Sequence, residues 1–330
     1  MDDFSNDSKS LKAALGDGGK IASGMKAAVV VNNIIKTYGK KKEVTALRDI
    51  SFSVSKGELF GIIGPDGAGK TSLFRILTTL LLADSGSATV DGHDVVKDYK
   101  AIRNQVGYMP GRFSLYPDLS VQENLNFFAT IFNTTVRENY DLIKDIYSQI
   151  EPFKHRRAGK LSGGMKQKLA LSCALIHRPS VLFLDEPTTG VDAVSRKEFW
   201  EMLKKLKQQG ITILVSTPYM DEAGMCDRVA LLQNGRILSI NTPRGIVEEF
   251  SSPLVAIKSA NMLPLLERAK EFAGTKDAYP FGEFHHVVLK KGFGINDAGQ
   301  YLKQYYPSPF EIKEIKADIE DCFIELMKNS

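Results

Sequence analysis

No stretch of this 330-residue chain approaches the ~20 consecutive apolar residues that a membrane-spanning helix needs. The run Ile76 to Ala83 is short and already carries two threonines. Any membrane role therefore has to come through a partner. Cysteine is scarce as well: Cys173, Cys226 and Cys322 are odd in number, far apart, and lack C-x-x-C spacing. Each sits among apolar residues, which suits buried reduced thiols in a reducing compartment. An excess of one charge is also missing, with 43 Lys and Arg against 39 Asp and Glu, a net charge of +4. That balance is too even to argue for nucleic acid as a partner. There is no internal repeat and no low-complexity tract. Met1 to Gly24 opens with acidic and polar residues and has no apolar h-region, so we expect a mobile tail over 1–26 rather than a signal peptide. The length allows one large core and a smaller unit.

What is present is sharper. Gly64-Pro65-Asp66-Gly67-Ala68-Gly69-Lys70-Thr71 is a complete G-x-x-x-x-G-K-[ST] loop. Leu59 to Ile63 ahead of it suits a buried parallel strand, and Thr71-Ser72-Leu73-Phe74-Arg75-Ile76-Leu77 behind it has helical spacing. Strand, glycine loop and helix aim several backbone N–H groups and a helix N-terminus at one point, a natural polyphosphate site. Lys70 reaches the β/γ-phosphates, and the Thr71 hydroxyl is a ligand for Mg²⁺. Such a string arises by chance in only ~1% of chains of this length. The chain is expected to bind a nucleoside triphosphate.

Along the rest of the chain, Ala27 to Val31 with Ile34 and Ile35 reads as a first strand. Ile50, Phe52 and Val54 alternate with polar residues as in a half-exposed antiparallel strand. Ala88 to Val90 ends a short strand in an Asp91-Gly92 turn. From about Asp118 to Gln149 the pattern is helical, with Val121, Leu125, Phe128, Ala129 and Phe132 on one face and a capping box of Ser120 and Glu123. Val181 to Leu184 and Ile211 to Val215 read as buried strands, and Val229 to Leu238 as a hairpin turning at Asn234-Gly235. After about Ser251 a new alternation of strands and helices begins.

Val181-Leu182-Phe183-Leu184-Asp185-Glu186-Pro187 is the second motif. A strand buried on both faces opens onto ligand at its C-terminal end. Asp185 is placed to hold Mg²⁺, and Glu186 to act as general base on an attacking water. The third motif, Leu161-Ser162-Gly163-Gly164-Met165-Lys166-Gln167-Lys168-Leu169, is a further anion site at a helix start.

In this order and spacing the three motifs resemble those of ATP-binding cassette (ABC) ATPases, over roughly Ala27 to Phe250. The resemblance implies a P-loop NTPase (RecA-like) α/β core with an antiparallel β-subdomain and a helical insert over about 112–178. It divides the chain into an ABC ATPase domain over 27–250 and a small C-terminal accessory α+β domain over 251–330. It also implies ATP and Mg²⁺ as cofactors, and head-to-tail pairing in which Ser162, Gly163 and Gly164 cap the ATP of the other cassette. Tyr38 matches the aromatic that stacks on adenine, and Asp192 the loop that links the two ATP sites. Two positions depart from the family. Gly111, in Gly107-Tyr108-Met109-Pro110-Gly111-Arg112-Phe113, takes the place of the glutamine that senses Mg²⁺ and the attacking water. Pro218, in Val215-Ser216-Thr217-Pro218-Tyr219, replaces the histidine that contacts the γ-phosphate, and proline has no donor to offer.

These departures leave two accounts open. Either the site hydrolyses slowly, since one lost donor typically costs 10²–10³ in rate, roughly 2.7–4 kcal/mol. Or ATP here glues a dimer while hydrolysis occurs at a partner site served by Ser162-Gly163-Gly164. The partner is then a second, fully equipped cassette, or the chain itself as a homodimer. Arg112 to Leu125 is similar to the stretch of ABC-2 type exporters that docks a cytoplasmic helix of the membrane subunit, with Phe113 and Tyr116 as candidate contacts. Ala317 to Leu326 is similar to the C-terminal amphipathic helix of such cassettes, with Ile319, Phe323 and Leu326 on one face. The expected function is the ATP-binding and hydrolysing subunit of an ABC-2 exporter, cytoplasmic and held at the inner face of the membrane by its membrane subunits. A regulatory ABC module with little or no hydrolysis is the alternative. DNA- or ribosome-acting ABC ATPases fit less well, because phosphate loop and signature lie within about a hundred residues and there is a single cassette.

Overall fold

The computed structural model describes residues 26–112 and 114–329. The expected tail lies outside the described residues apart from Lys26, as does Phe113. The chain divides into two compact units, one ending at Arg244 and taking in the residues from Leu326, the other Gly245–Glu325. The boundary expected at 250/251 falls at the end of the helix Pro243–Glu249.

The larger unit holds two sheets. In chain order its strands are β1 (Ala27–Tyr38), β2 (Val44–Ser55), β3 (Leu59–Ile63), β4 (Ser85–Val90), β5 (His93–Asp94), β6 (Val106–Met109), β7 (Val181–Asp185), β8 (Thr212–Thr217), β9 (Arg228–Gln233) and β10 (Arg236–Asn241). Its helices are α1 (Lys70–Leu77), α2 (Tyr99–Gln105), α3 (Val121–Ile131), α4 (Tyr140–Tyr147), α5 (Gly163–Leu175) and α6 (Ala193–Gln208). The first sheet, β2-β1-β4-β5, is antiparallel throughout, and Ile50, Phe52 and Val54 of β2 point into the core as their alternation predicts. The second, β10-β9-β3-β8-β7-β6, is parallel from β9 to β6. Its central strands β3, β7 and β8 are buried at every residue, which explains their unbroken apolar runs. The antiparallel hairpin β9–β10 turns at Asn234 and Gly235, both with positive φ (48° and 74°), the conformation an Asn-Gly turn adopts most readily.

One core ties sheet to sheet. Phe52 of β2 stacks on Phe60 of β3 at 5.4 Å, and Phe74 of α1 meets Phe183 of β7 edge-on at 5.7 Å. Each such side chain fully buried stabilises the fold by about 1.5–3 kcal/mol. Within the expected insert lie α3, α4 and α5, and α3 starts with the Ser120–Glu123 capping box. Its inner face holds Val121, Leu125 and Ala129, with Phe128 and Phe132 half-buried. It also holds Asn124, fully buried because its side chain donates to the carbonyls of Tyr116, Leu119 and Ser120 and accepts from Tyr116 N–H.

The helix α7 (Pro243–Glu249) leads into the smaller unit, which runs β11 (Leu254–Ser259), α8 (Met262–Glu271), β12 (Thr275–Phe281), β13 (Phe284–Leu289), α9 (Ile295–Tyr305), β14 (Phe310–Ile315) and the part of α10 (Ile319–Asn329) that ends at Glu325. Its sheet, β12-β13-β11-β14, is antiparallel, the split βαβ arrangement of ferredoxin-like domains. Val255, Ile257, Leu265, Ala278, Val287 and Leu302 build a core of its own between the sheet and α8 and α9. The amphipathic segment expected at the end is α10, where Cys322 and Phe323 are buried. All three cysteines are free and buried, and burial pushes their thiols well above the ordinary range. Among the described residues no helix is long and apolar enough to cross a membrane.

Candidate functional site

β3 delivers the chain to Gly64, where a Cβ would stand 2.0 Å from the carbonyl oxygen of Leu232. Only glycine lets the loop pass the end of β9. Gly67 and Gly69 then take positive φ (80° and 111°), and a Cβ on Gly69 would lie 2.4 Å from the Ala46 carbonyl oxygen. The loop closes on Lys70, the first residue of α1, whose side chain is 3% exposed. Its Nζ donates to Gly64 O at 2.7 Å and Pro65 O at 3.0 Å, and pairs with Glu186 Oε1 at 3.1 Å. Asp66 is exposed, Ala68 is buried, and Thr71 and Ser72 are half-buried at the helix start. The Tyr38 and Ser72 hydroxyls lie 3.0 Å apart, which brings the half-exposed Tyr38 ring to the first turn of α1.

The carboxylates arrive from the neighbouring strands. Asp185, at the end of β7, is 2% exposed and accepts from Ser216 Oγ of β8 at 2.6 Å. Glu186 follows with φ 50°, a left-handed conformation that costs a side-chain-bearing residue about 1–2 kcal/mol. It is held there by its N–H, which donates to Ser216 O at 3.0 Å and Ser216 Oγ at 3.1 Å. Tyr108 of β6 is the next neighbour: burial and the Asp185 charge push its phenol up to about 12, against an opposing pull from Arg75. Gly111 lies directly beside the pair, since a Cβ there would stand 3.0 Å from Asp185 O and 3.7 Å from Glu186 Cβ.

The segment carrying Pro218 is also fastened to the loop. Gly64 N–H donates to Thr217 O at 3.2 Å. Thr217 Oγ1 accepts from Tyr219 N–H at 3.1 Å and donates to Glu222 Oε2 at 2.5 Å. Glu222 is buried, with Arg196 of α6 at 3.9 Å from its Oε1, and the Arg196 guanidinium also sits over the Tyr219 ring. Ser216, Tyr108 and Glu222 were not singled out from the sequence. A hydroxyl pair, Ser216-Thr217, at the end of an otherwise apolar buried strand was the available signal.

The signature residues form a separate cluster. Ser162 caps α5 by accepting from Met165 N–H at 3.4 Å. Gly163 faces the Gly190 carbonyl oxygen, 3.3 Å from where its Cβ would be, and Gly164 faces Ser195 Oγ at 2.9 Å on the same measure. Asp192 caps α6, accepting from Val194 N–H at 3.1 Å and Ser195 N–H at 3.0 Å, bonds that hold its carboxyl below the usual range. Among the described residues no hydrogen bond or ion pair joins Ser162–Gly164 to Gly64–Ser72. Neither α1 nor α5 places an acid in its first turn, whereas α3 does. An acid there offsets the positive end of the helix dipole, and at α1 and α5, as at α2 and α6, no first-turn acid does so.

No group of three or more His, Cys, Asp and Glu among the described residues forms a metal cage. Thr71 and Asp185 offer one hydroxyl and one carboxylate, hard oxygen donors suited to a cation that takes its other ligands from phosphate and water. Beyond the site, Tyr116 meets Phe127 edge-on at 4.8 Å beside an apolar cavity of about 280 Å³ lined by Tyr108, Leu115, Phe128, Phe132, Cys173 and His177.

An ABC transporter family profile matches residues 47–189. The Nod factor export ATP-binding protein I of Burkholderia orbicola is 33% identical over 304 residues, covering 91% of this chain and 97% of that protein. The chain belongs to the ABC transporter ATP-binding proteins. A second relative of the cassette, the probable multidrug ABC transporter ATP-binding protein YbhF of Escherichia coli, is 38% identical over 307 residues. The cassette chain spans about half of that relative's length, 52%. Among solved structures, cbiO1 of Clostridium perfringens, part of the ABC transporter complex cbiONQ, matches with a TM-score of 0.60 at 26% identity, over 68% of this chain and 91% of that one. The P-loop NTPase fold of the ABC cassette is thus shared beyond the phosphate loop itself.

Proposed function

We propose that this cassette is the ATP-hydrolysing subunit of an ABC-2 type exporter, cytoplasmic and held at the inner membrane face by its membrane subunits. The observation that carries the reading is the convergence of Lys70, Asp185 and Glu186 at the ends of β3 and β7, braced by Ser216 of β8. The first-turn N–H groups of α1 and the Lys70 ammonium bind the β/γ-phosphates of ATP, and Tyr38 stacks on the adenine. Gly64, Pro65, Asp66, Gly67, Ala68, Gly69, Thr71 and Ser72 complete the loop around the phosphates. Thr71 and Asp185 hold Mg²⁺, which neutralises phosphate charge when bound. Glu186 takes a proton from the attacking water.

The site is weakened at two positions beside that water. Gly111 is adjacent to Asp185 and Glu186 and has no side chain, and Pro218 follows a segment bonded to the phosphate loop without offering a donor. Ser162, Gly163, Gly164 and Asp192 serve the ATP of a second cassette, either a fully equipped one or a second copy of this chain. The exposed Tyr116, with Phe127 and the apolar cavity beside it, suits a helix of the membrane subunit.

Steady-state ATPase of the chain alone and with its membrane subunits tests the reading. If the chain's own site turns over, Glu186→Gln reduces its rate by about 10²–10⁴ while ATP stays bound. Turnover persisting at the wild-type rate in that variant moves catalysis to the partner's site. No turnover in the wild-type complex leaves a nucleotide-binding module as the better reading.

A further inference from the structure

The two outer strands of the C-terminal sheet treat their open edges differently. An open edge is a template for another strand, and proteins commonly block it with proline or a bulge. β12 carries both devices, Pro280 and a register shift between Thr275 and Asp277. β14 carries neither: its six residues pair with β11 without interruption, from Phe310 opposite Ser259 to Ile315 opposite Leu254. Among the described residues β14 has one hydrogen-bonded neighbour, β11, so its other edge is open. That strand reads Phe310-Glu311-Ile312-Lys313-Glu314-Ile315, with Glu311, Lys313 and Glu314 exposed.

The order of these charges suits one occupant. When a strand pairs antiparallel with a copy of itself, the residue on the two-fold axis faces its own copy, and the residues on either side face each other crosswise. Centring on Glu311, Lys313 or Glu314 sets like charges directly opposite, which is destabilising. Centring on Ile312 sets isoleucine against isoleucine. It also places Glu311 opposite Lys313 of the second copy twice, once on each side of the axis. The same face already has the matching alternation across the sheet. Glu283 pairs with Lys258 at 2.7 Å, and Lys258 lies opposite Glu311 in the β11–β14 register. Lys313 of the second copy would continue that row of alternating charges. A strand from an unrelated protein would have no reason to match this order.

We propose that β14 pairs with β14 of a second copy of this chain, joining two C-terminal sheets into one continuous antiparallel sheet centred on Ile312. The contact needs no nucleotide, so it is distinct from head-to-tail pairing across ATP and does not depend on that reading.

The test uses the full chain without nucleotide, by sedimentation at micromolar concentration and above. A dimer is expected, and it persists in Lys70→Ala. Glu311→Lys and Lys313→Glu each turn two opposite-charge pairs into two like-charge pairs, and each weakens the dimer by roughly ten- to a hundredfold. The double variant Glu311→Lys with Lys313→Glu restores the pairing. Ile312→Cys cross-links copy to copy under oxidation, because directly opposite strand residues lie within disulfide reach. A monomeric wild-type chain, or a dimer indifferent to the single charge reversals, overturns the proposal. Loss of ATP binding in the charge variants would instead report general damage, and the double variant separates the two.

Discussion

Two helix starts in this cassette begin at glycines and carry no acid in their first turn, and they differ in what their own chain places around them. At α1 the chain supplies nearly everything: a buried ammonium, two carboxylates from adjacent strand ends, and glycines that backbone packing demands. At α5 it supplies a serine cap, two glycines and a helix dipole without an acid, and no cation of the phosphate loop is bonded to them. The first arrangement can bind polyphosphate alone. The second stands without a cation or carboxylate of its own, and in the proposed function a second cassette supplies them. In this reading the defects at Gly111 and Pro218 weaken the complete site and leave the donated one intact.

The largest expected effect falls on the complete site. Lys70→Ala removes the ammonium from a position where it is shielded from water, and charge-assisted contacts to phosphate are the strong ones. We expect ATP affinity to fall by about a hundredfold or more, some 2.7 kcal/mol, measured by calorimetry. Unchanged affinity would break the comparison at its first term, because α1 would then not be the nucleotide's anchor.

A smaller effect separates the two sets of glycines through stability alone. Gly64→Ala drives a methyl group into the Leu232 carbonyl, a backbone atom fixed by the β9–β10 hairpin. The loop or the strand end must move, and overpacking of this kind costs about 1–3 kcal/mol. Thermal or denaturant unfolding without nucleotide reads that cost directly. Wild-type stability in this variant would mean that the glycine serves only the ligand.

Much of this contrast was legible in the sequence because it is local. The phosphate loop, the Ser120–Glu123 box and the Asn234-Gly235 turn are each decided by a few adjacent residues, and each forms where the residue pattern puts it. The buried strands showed themselves as unbroken apolar runs because both their faces are covered. What escaped was whatever depends on strand order. Ser216 braces Asp185 and Glu186 only because β8 lies next to β7, and Tyr108 reaches Asp185 only because β6 lies on the other side of β7. The clamp of Thr217, Glu222 and Arg196 joins the stretch after β8 to α6, and no spacing announces the second partner. Asn124 escaped for a different reason. An amide on the inner face of a helix looks like an exception to its apolar stripe until the three carbonyls it satisfies are known.

The smallest structural effect is the most discriminating one. A Cβ on Gly163 would stand 3.3 Å from the carbonyl oxygen of Gly190, an exposed residue in a turn, so a shift of a few tenths of an ångström accommodates it. Alanine also lowers the conformational entropy of the unfolded chain relative to glycine. Gly163→Ala should therefore change stability by no more than about 0.5 kcal/mol. Its effect on function should be larger, because the added methyl stands at the exposed helix start where N–H groups would approach a phosphate on another chain. ATP binding to the lone chain should be unchanged, and ATPase of the assembled complex should fall severalfold. Should the complex turn over at the wild-type rate, the start of α5 is an ordinary capped helix end, and the difference between the two helix starts carries no functional meaning.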